Sequence, residues 1–377
     1  MKGKQGMVCM GLLLVLSSCH TGKQITASGL QRKDFQTEVN GQHTDLFTLS
    51  NKQGMEVCIT NYGARVVSIL VPDRNGKRED VVCGFSTIGE YMEQRQNFGS
   101  TVGRYIGRIL NARFTLDGVE YKLVPNNGKS GHISHGGNPG FADRIWKVEQ
   151  ADTHRVRLSY LSPDGENGFP GNLKVTLVYS LGEDDNALDL TYEATTDAPT
   201  VLNLSHHSFF NISGNFTKSV EDQQLWVDAD RFTPYDDKKC VTGEYLPVAG
   251  TPLDFRMPHA IGECIDADHP QLKVVNGYDH TWELNTKGDD TRPAAWVYDP
   301  ASGRKMEIFT TEPGMQIYTG NGLKGKMTGK GRIAYPFRSA VCFETMHFQD
   351  SPNQPGFPST VLRPGEVFRS HTVYKFE

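Results

Sequence analysis

Two segments of this chain combine an apolar alternation, typical of β-strands, with polar residues that can transfer protons. In the segment 200–210, Asn203, Ser205 and His207 would share one strand face. Burying polar groups costs free energy unless they are paired or used. This face therefore predicts the wall of a wet cavity with His207 at its centre, and a hydrogen-bonded structural histidine is the alternative interpretation.

The second segment, 340–348, places Glu344 on the same strand face as Cys342 and Met346. A carboxylate is seldom found at such a position without a partner. Burial would raise its pKa and prepare it to act as a base or an acid, and a buried ion pair is the alternative. His206 points away from His207 on a strand, so the two histidines cannot readily bind one metal ion.

Three further clusters have loop or strand-edge character. His135 precedes two glycines, which let the backbone approach a ligand closely. Asp279 stands beside a histidine at a strand edge, where it could also cap a turn. Gln316 and Tyr318 share a strand face, and an amide beside an aromatic ring suits a sugar-binding wall but is also common in ordinary strands.

Arg104 and Arg108 could bind hydroxyl or carboxylate groups, or could only solvate a turn. The chain lacks the nucleophile elbow, the P-loop, the zinc-protease motif and the dinucleotide fingerprint. Beyond residue 19 there are five cysteines without a CxxC pair, so we expect no zinc site, and one disulfide stays possible: Cys58, Cys83, Cys240, Cys264 and Cys342.

These residues need a scaffold, and the pattern around them is that of strands. Apolar residues alternate in three consecutive segments, 156–160, 173–179 and 188–192, as in an antiparallel meander with one buried face. Asp117-Gly118 predicts a tight hairpin whose turn needs positive φ. No helical pattern of similar length exists, so we predict an all-β protein, a large antiparallel β-sandwich.

The composition agrees with an ordinary globular protein. The 377 residues are 37% hydrophobic and 22% charged, and the formal net charge is −5. These values exclude intrinsic disorder, collagen-like repeats and a disulfide-dense miniprotein. They also argue against nucleic acid as a partner, since electrostatic binding to phosphates needs an excess of basic residues.

The N-terminus predicts a secretory signal. Lys2 and Lys4 precede an apolar run at 7–16, which is too short to span a bilayer, and Leu16-Ser17-Ser18-Cys19 follows. This pattern is similar to a bacterial lipobox, in which the cysteine is lipidated; a plain signal peptide is the alternative. We predict a signal peptide over 1–18, lipidation at Cys19, a polar tether over 19–32 and one β-sandwich domain over 33–377.

Taken in order, the clusters resemble the aldose 1-epimerase (galactose mutarotase) family from about residue 54 to residue 376. Each motif alone is weak, but seven in order over some 320 residues are specific. They are GRYIGRI (103–109), HGG (135–137), NLSHHSFFN (203–211), GTPLDF (250–255), GYDH (277–280), PGMQIYTGN (313–321) and ETMHFQDSPNQPGFPSTVLRPGE (344–366).

The resemblance implies a large β-sandwich (the galactose mutarotase-like supersandwich) that interconverts the α and β anomers of a free aldohexose such as glucose or galactose. It implies that His207 is the general acid at the ring oxygen and Glu344 the general base at the C1 hydroxyl. Four residues would bind sugar hydroxyls: Arg108, His135, Asp279 and Gln316. Neither a metal nor another cofactor is implied. The chain departs from the family pattern at three positions: Gly107, His206 and Met346.

Two other functions stay open at this stage. A glycoside hydrolase could use Asp279 and Glu344 as its two carboxylates. A non-catalytic sugar-binding lipoprotein would need neither His207 nor Glu344. For the epimerase we expect a monosaccharide as partner, contact with a membrane only through the lipid anchor, a monomeric or weakly dimeric state, and an extracytoplasmic location in the periplasm or cell envelope.

Overall fold

The computed structural model describes residues 24–377. The predicted signal peptide and Cys19 lie outside the described residues. The described chain consists mainly of antiparallel strands joined by short helices and turns, which confirms the predicted all-β class. Between residues 24 and 377, no helix has the length and apolar character needed to cross a membrane.

The largest sheet has nine strands and runs through most of the chain. The strand Leu173–Leu181 buries every second residue, so this sheet has one core face. In spatial order its strands are Lys147–Ala151, Arg155–Ser162, Leu173–Leu181, Ala187–Thr196, Phe368–Phe376, Lys305–Thr310, Ala295–Tyr298, Gln224–Val227 and His259–Ala260. The predicted meander forms its second to fourth strands.

A six-stranded sheet lies against the core. In spatial order its strands are Phe209–Phe210, Val341–Met346, Gly314–Tyr318, Asp279–Glu283, Arg231–Thr233 and Leu246–Pro247. On the strand Val341–Met346 the odd-numbered residues face the core: Phe343 belongs to the same apolar cluster as Leu177 of the nine-stranded sheet and Val57 of a third sheet. The even-numbered residues of Val341–Met346 point the other way, because side chains alternate along a strand.

The third sheet has four strands, and the described part of the chain also forms five two-stranded pairs. The four strands are Leu46–Ser50, Glu56–Thr60, Arg65–Pro72 and Arg78–Asp80. The pairs are Glu38–Val39 with Gln42–His43, Ser100–Val102 with Ser205–His207, Arg108–Ile109 with Ile133–Ser134, Arg113–Leu116 with Val119–Lys122, and Thr200–Val201 with Val361–Leu362.

The helices are short and occupy connections. Within residues 24–377 the α-helices are Ile88–Gln94 and Pro270–Val275, and Thr87 caps the first through a capping box. The 3₁₀ helices are Arg32–Phe35, Leu110–Ala112, Gly128–Ser130, Phe141–Asp143, Glu166–Gly168, Ile261–Glu263, Lys330–Arg332 and Ser351–Asn353.

The predicted hairpin at Asp117-Gly118 is confirmed. Arg113–Leu116 pairs with Val119–Lys122, and the two turn residues have φ of +52° and +80°. Positive φ at both central positions is what a type I′ turn needs, and it matches the twist of the flanking strands.

The segment 200–210 is not one continuous strand, as its alternation suggested. It forms three short strands that pair with different partners: Thr200–Val201 with Val361–Leu362, Ser205–His207 with Ser100–Val102, and Phe209–Phe210 with Val341–Cys342. The alternation of apolar and polar residues indicates which face of a strand is buried, but it does not indicate which strand pairs with it.

The N-terminal residues that are described pack on the domain. Leu30 is buried, and the backbone N–H of Ala27 donates to Glu56 at 2.6 Å. Packing therefore begins before residue 33, within the stretch predicted as a tether. The five cysteines of the described chain are free thiols, which answers the open question of a disulfide among them.

One charged cluster crosslinks the nine-stranded sheet and gives a test of stability. His371 contacts Asp189 through Nε2 at 2.7 Å and Asp290 through Nδ1 at 2.6 Å. Hydrogen bonding to Asp189 is the largest influence and, with the Asp290 contact, raises the pKa of His371 to about 9 from its ordinary 6.5. The resulting stability is present below pH 6.5 and is lost as the pH rises through about 9.

We therefore expect His371→Gln to lower the free energy of unfolding by about 2 kcal/mol at about pH 6 and by much less at about pH 10. Urea unfolding of both proteins at the two pH values measures this. An equal loss at both pH values would show that the imidazolium is not the stabilising form.

Candidate active site

The outer face of the six-stranded sheet presents two rows of side chains that the strand register sets side by side. Gln316 lies opposite both Thr281 and Glu344, which makes the first row. The second row lies two residues further along each strand: Asp279, Tyr318, Cys342 and Phe209. Alternation brings these residues to one face, and antiparallel pairing brings the three segments together.

The same register places His207 beside Glu344. Phe209 pairs with Cys342 in an antiparallel ladder. Two residues before Phe209 is His207, and two residues after Cys342 is Glu344, so the antiparallel register sets these two opposite each other. Although the ladder breaks between residues 207 and 209, the side chains still meet. His207 Nε2 lies 3.3 Å from Glu344 Oε1, and Phe209 stacks on the imidazole at a centroid distance of 5.1 Å.

Both groups of this pair are almost completely buried, with side chains 7% and 5% exposed. Burial, followed by the nearby His135, lowers the pKa of His207 well below its ordinary value. Burial, followed by the negative charge of Asp279, raises the pKa of Glu344 well above its ordinary value. These two directions favour a pair that carries one proton, held on Glu344 beside a neutral His207.

Asp279 and Gln316 form the next part of the floor. The amide Nε2 of Gln316 donates to Asp279 Oδ1 at 2.7 Å, and the hydroxyl of Thr281 donates to Gln316 Oε1. These contacts fix the orientation of the amide. Burial raises the pKa of Asp279, while Arg108 and the Gln316 hydrogen bond act in the opposite direction.

His135 and Arg108 form one wall of the site. The backbone N–H of His135 donates to the carbonyl of Gly107 at 2.9 Å, and the His135 ring lies edge-on to that of His207 at 5.4 Å. Gly136, with φ of +78°, passes so close to Gly103 that a Cβ there would lie 2.0 Å from its carbonyl oxygen. Burial, then Arg108, lowers the pKa of His135 to about 4, so the ring is neutral and can donate or accept a hydrogen bond.

The structure adds Gln349, which sequence reasoning missed. Its amide donates to Tyr235 Oη at 2.7 Å and to Gln316 Oε1 at 3.3 Å, and its oxygen accepts from the backbone N–H of Arg108 at 3.3 Å. Gly107 makes room for it, since a Cβ at that position would lie 2.5 Å from Gln349 Cγ. The motif 344–366 contained Gln349, but its burial depends on contacts with distant strands.

Three polar residues from the same motifs lie outside the site. Arg104 is buried, and its guanidinium donates to the carbonyl oxygens of Pro170 and Gly171. It therefore stabilises a loop, and of the two arginines only Arg108 lines the cavity. His206 points away from His207 as predicted, and its ring lies near those of two tyrosines. His280 likewise packs among aromatic rings on the core side.

The predicted site residues thus surround one polar cavity of about 250 Å³. It is lined by Gln96, Asn97, Gly107, Arg108, Ser134, His135, His207, Phe209, Asp279, Gln316, Tyr318, Glu344, Met346 and Gln349. Hydrogen-bonding groups cover its floor and wall, and Phe209 and Tyr318 supply flat apolar surfaces. Such a cavity suits one small polyhydroxylated molecule, with a proton donor and a proton acceptor at the bottom.

One group of side chains could hold a metal ion. The ligand atoms of His207, Cys342 and Glu344 all lie within 4.8 Å of one another. Cysteine spacing gave no sign of this, because the three residues belong to different segments and meet only through strand pairing.

Comparison with known proteins agrees with this architecture. The family model described as Aldose 1-epimerase matches residues 45–375. The chain is 40% identical to galactose mutarotase of Bos taurus over 331 residues, which cover 88% of this chain and 93% of that protein. It is 36% identical to aldose 1-epimerase of Escherichia coli strain K12, with coverage of 89% and 96%.

Solved structures show the same fold. A GalM/aldose epimerase homologue from C. elegans superposes with a TM-score of 0.81 at 30% identity and covers 89% of this chain and 99% of that one. Galactose 1-epimerase from Lactobacillus acidophilus NCFM gives a TM-score of 0.78 at 28% identity, with coverage of 90% and 96%. The fold class, the order of the motifs and these similarities agree, and this chain belongs to the aldose 1-epimerase family.

Proposed function

We propose that this protein is an aldose 1-epimerase that interconverts the α and β anomers of a free aldohexose. The observation that supports this most directly is the 3.3 Å contact between His207 and Glu344 at the bottom of a polar cavity. Anomer exchange removes a proton from O1 and adds one to O5, and both oxygens are bonded to C1. An acid and a base that serve two such oxygens must therefore both reach the same small region, as His207 and Glu344 do.

The two pKa shifts favour a protonated Glu344 beside a neutral His207. The proposed reaction begins from the other form of the pair, a Glu344 carboxylate beside a His207 imidazolium, which is reached when the proton passes from Glu344 to His207 across their 3.3 Å contact. Glu344 takes the proton from O1 while His207 gives its proton to O5, and the C1–O5 bond breaks to leave the open-chain aldehyde. Rotation about C1–C2 presents the other carbonyl face. O5 then attacks C1, His207 takes back the O5 proton and Glu344 returns a proton to O1.

The remaining groups of the cavity position the sugar. Arg108, His135, Asp279 and Gln316 can donate to or accept from ring hydroxyls, and Gln349 adds a further amide linked to two of them. Because Thr281 and Gln349 hold the Gln316 amide, its orientation is fixed before the sugar arrives. Such preorganisation reduces the entropy lost when the reacting atoms are aligned.

We further propose that Cys19 carries a lipid, so that the enzyme acts outside the cytoplasm on sugars released by extracytoplasmic glycosidases. This rests on the N-terminal sequence alone: two early lysines, a short apolar run and Leu16-Ser17-Ser18-Cys19. We also propose a monomer or weak dimer in which each chain carries its own complete cavity.

Polarimetry tests the activity. We expect the purified full chain to speed the approach of freshly dissolved α-D-glucose or α-D-galactose to an unchanged final rotation. Comparison of the two rates defines the preference at C4. No acceleration with these or other aldoses would contradict an epimerase, and release of reducing ends from an oligosaccharide would favour the hydrolase alternative.

Substitution of the pair tests its role. We expect Glu344→Gln and His207→Asn each to lower kcat about 10²- to 10⁴-fold with a smaller change in KM, because each removes one proton transfer. A matched control is Glu312→Gln. Glu312 contacts His347 at 2.7 Å but lies outside the cavity, so its loss should leave turnover unchanged. Full turnover in either site variant would overturn the assignment.

The pH profile follows from the pKa shifts. At low pH the pair gains a second proton, and at high pH it loses its only one, so kcat/KM should be bell-shaped. Since burial lowers the pKa of His207 from 6.5 and raises that of Glu344 from 4.5, the acid limb should lie below pH 6.5 and the alkaline limb above pH 4.5. An acid limb centred above pH 6.5 would contradict this environment.

The anchor can be tested in a bacterial host. We expect the full chain to incorporate an alkyne-labelled fatty acid and to sediment with membranes, and Cys19→Ser to lose both properties. Cys240→Ser is the control, because it removes a cysteine of the folded domain. Unchanged labelling of Cys19→Ser would contradict lipidation at this residue.

A further inference from the structure

Cys342 has no part in the proposed proton transfers, although it lies beside the groups that perform them. Its thiol is free and fully buried. Cys342 pairs with Phe209 on one side and Tyr318 on the other, and both neighbours line the cavity. The thiol therefore lies on the same strand face as Glu344, two residues away, within the apolar cluster that backs the cavity at Phe209 and Tyr318.

The distances among three donor atoms suit a metal ion. Zn²⁺ binds nitrogen and oxygen at about 2.0–2.1 Å and sulfur at about 2.3 Å in tetrahedral geometry, which separates two donors of one ion by about 3.3–3.5 Å. His207 Nε2 and Glu344 Oε1 are already 3.3 Å apart. The Cys342 sulfur lies within 4.8 Å of both donor atoms, so a shift of about 1 Å completes the set.

The charges also balance. A thiolate and a carboxylate together carry two negative charges, the neutral imidazole carries none, and a divalent cation makes the assembly neutral. Neutrality matters because an unpaired charge is costly at a buried site. When the ion binds, the Cys342 S–H bond and any proton held by the pair are exchanged for metal bonds, and the protons pass to solvent. A soft thiolate favours Zn²⁺ or Cd²⁺ over Mg²⁺ or Ca²⁺.

We propose that the cavity binds one soft divalent cation, Zn²⁺ or Cd²⁺, through His207, Cys342 and Glu344, and that the bound ion excludes the sugar. The ion binds both the acid and the base at the place where the sugar would react, so it inhibits epimerisation in competition with the sugar. The inhibitory part rests on the proposed function, whereas the binding part rests only on the geometry.

Cd²⁺ is the probe, because a cadmium–thiolate bond absorbs in the ultraviolet. The reference protein is the full chain with Cys240→Ser and Cys264→Ser, which removes the two partly exposed thiols of residues 24–377, and with Cys9→Ser and Cys19→Ser; Cys240 also lies 3.3 Å from His132. We expect titration with CdCl₂ to produce the band at one ion per chain. Galactose or glucose should displace the ion, and inhibition measured by polarimetry should be competitive with sugar.

Adding Cys342→Ser to this reference should abolish the band and weaken Cd²⁺ binding about tenfold or more, and Cys342→Ala provides a second variant if serine disturbs the fold. His207→Asn tests the nitrogen ligand, and thermal unfolding confirms that each variant is native. The proposal is overturned if the reference protein shows no band, or if its band survives the loss of Cys342. A band on a protein without epimerase activity would support the metal site while contradicting the proposed function.

Discussion

The central constraint is that an acid and a base must serve two oxygens bonded to one carbon. They have to reach the same small region, and they have to be shielded from water so that the proton of the pair passes to the sugar and not to solvent. His207 and Glu344 meet both conditions, because they lie 3.3 Å apart and their side chains are only 7% and 5% exposed. Burial shifts their pKa values in opposite directions, which favours a pair that carries one proton.

Sheet register produces this arrangement. Three paired strands align Thr281, Gln316 and Glu344 in one row, and the continuation of that register adds His207 from a broken strand. The same strands turn Phe343 toward the apolar core. Apolar packing on the core face therefore fixes which side chains line the cavity on the opposite face. A register shift of one residue would turn the cavity residues toward the core and the apolar residues toward the cavity. The neighbouring Cys342 follows from the same geometry, which is why a thiol lies close to the acid and base.

Sequence alone predicted the all-β class, the hairpin at Asp117-Gly118 and the opposite orientations of His206 and His207, because these depend on local alternation and turn chemistry. It could not predict that residues 200–210 divide into three strands, since strand partners are distant in sequence. Gln349 was missed for a similar reason: its burial follows from Gly107, about 240 residues earlier. The roles of the site residues came from family resemblance and stay proposals that need kinetic tests.

A double-mutant cycle at Glu344 and His207 tests the shared-proton account most directly. Mutarotation of α-D-glucose or α-D-galactose would be followed by polarimetry for Glu344→Gln, His207→Asn and the combined variant. If the two groups act as one unit, the combined variant turns over about as fast as the slower single variant, because losing either partner already breaks the paired transfer. Losses that multiply would show that the two residues act independently and would contradict the account.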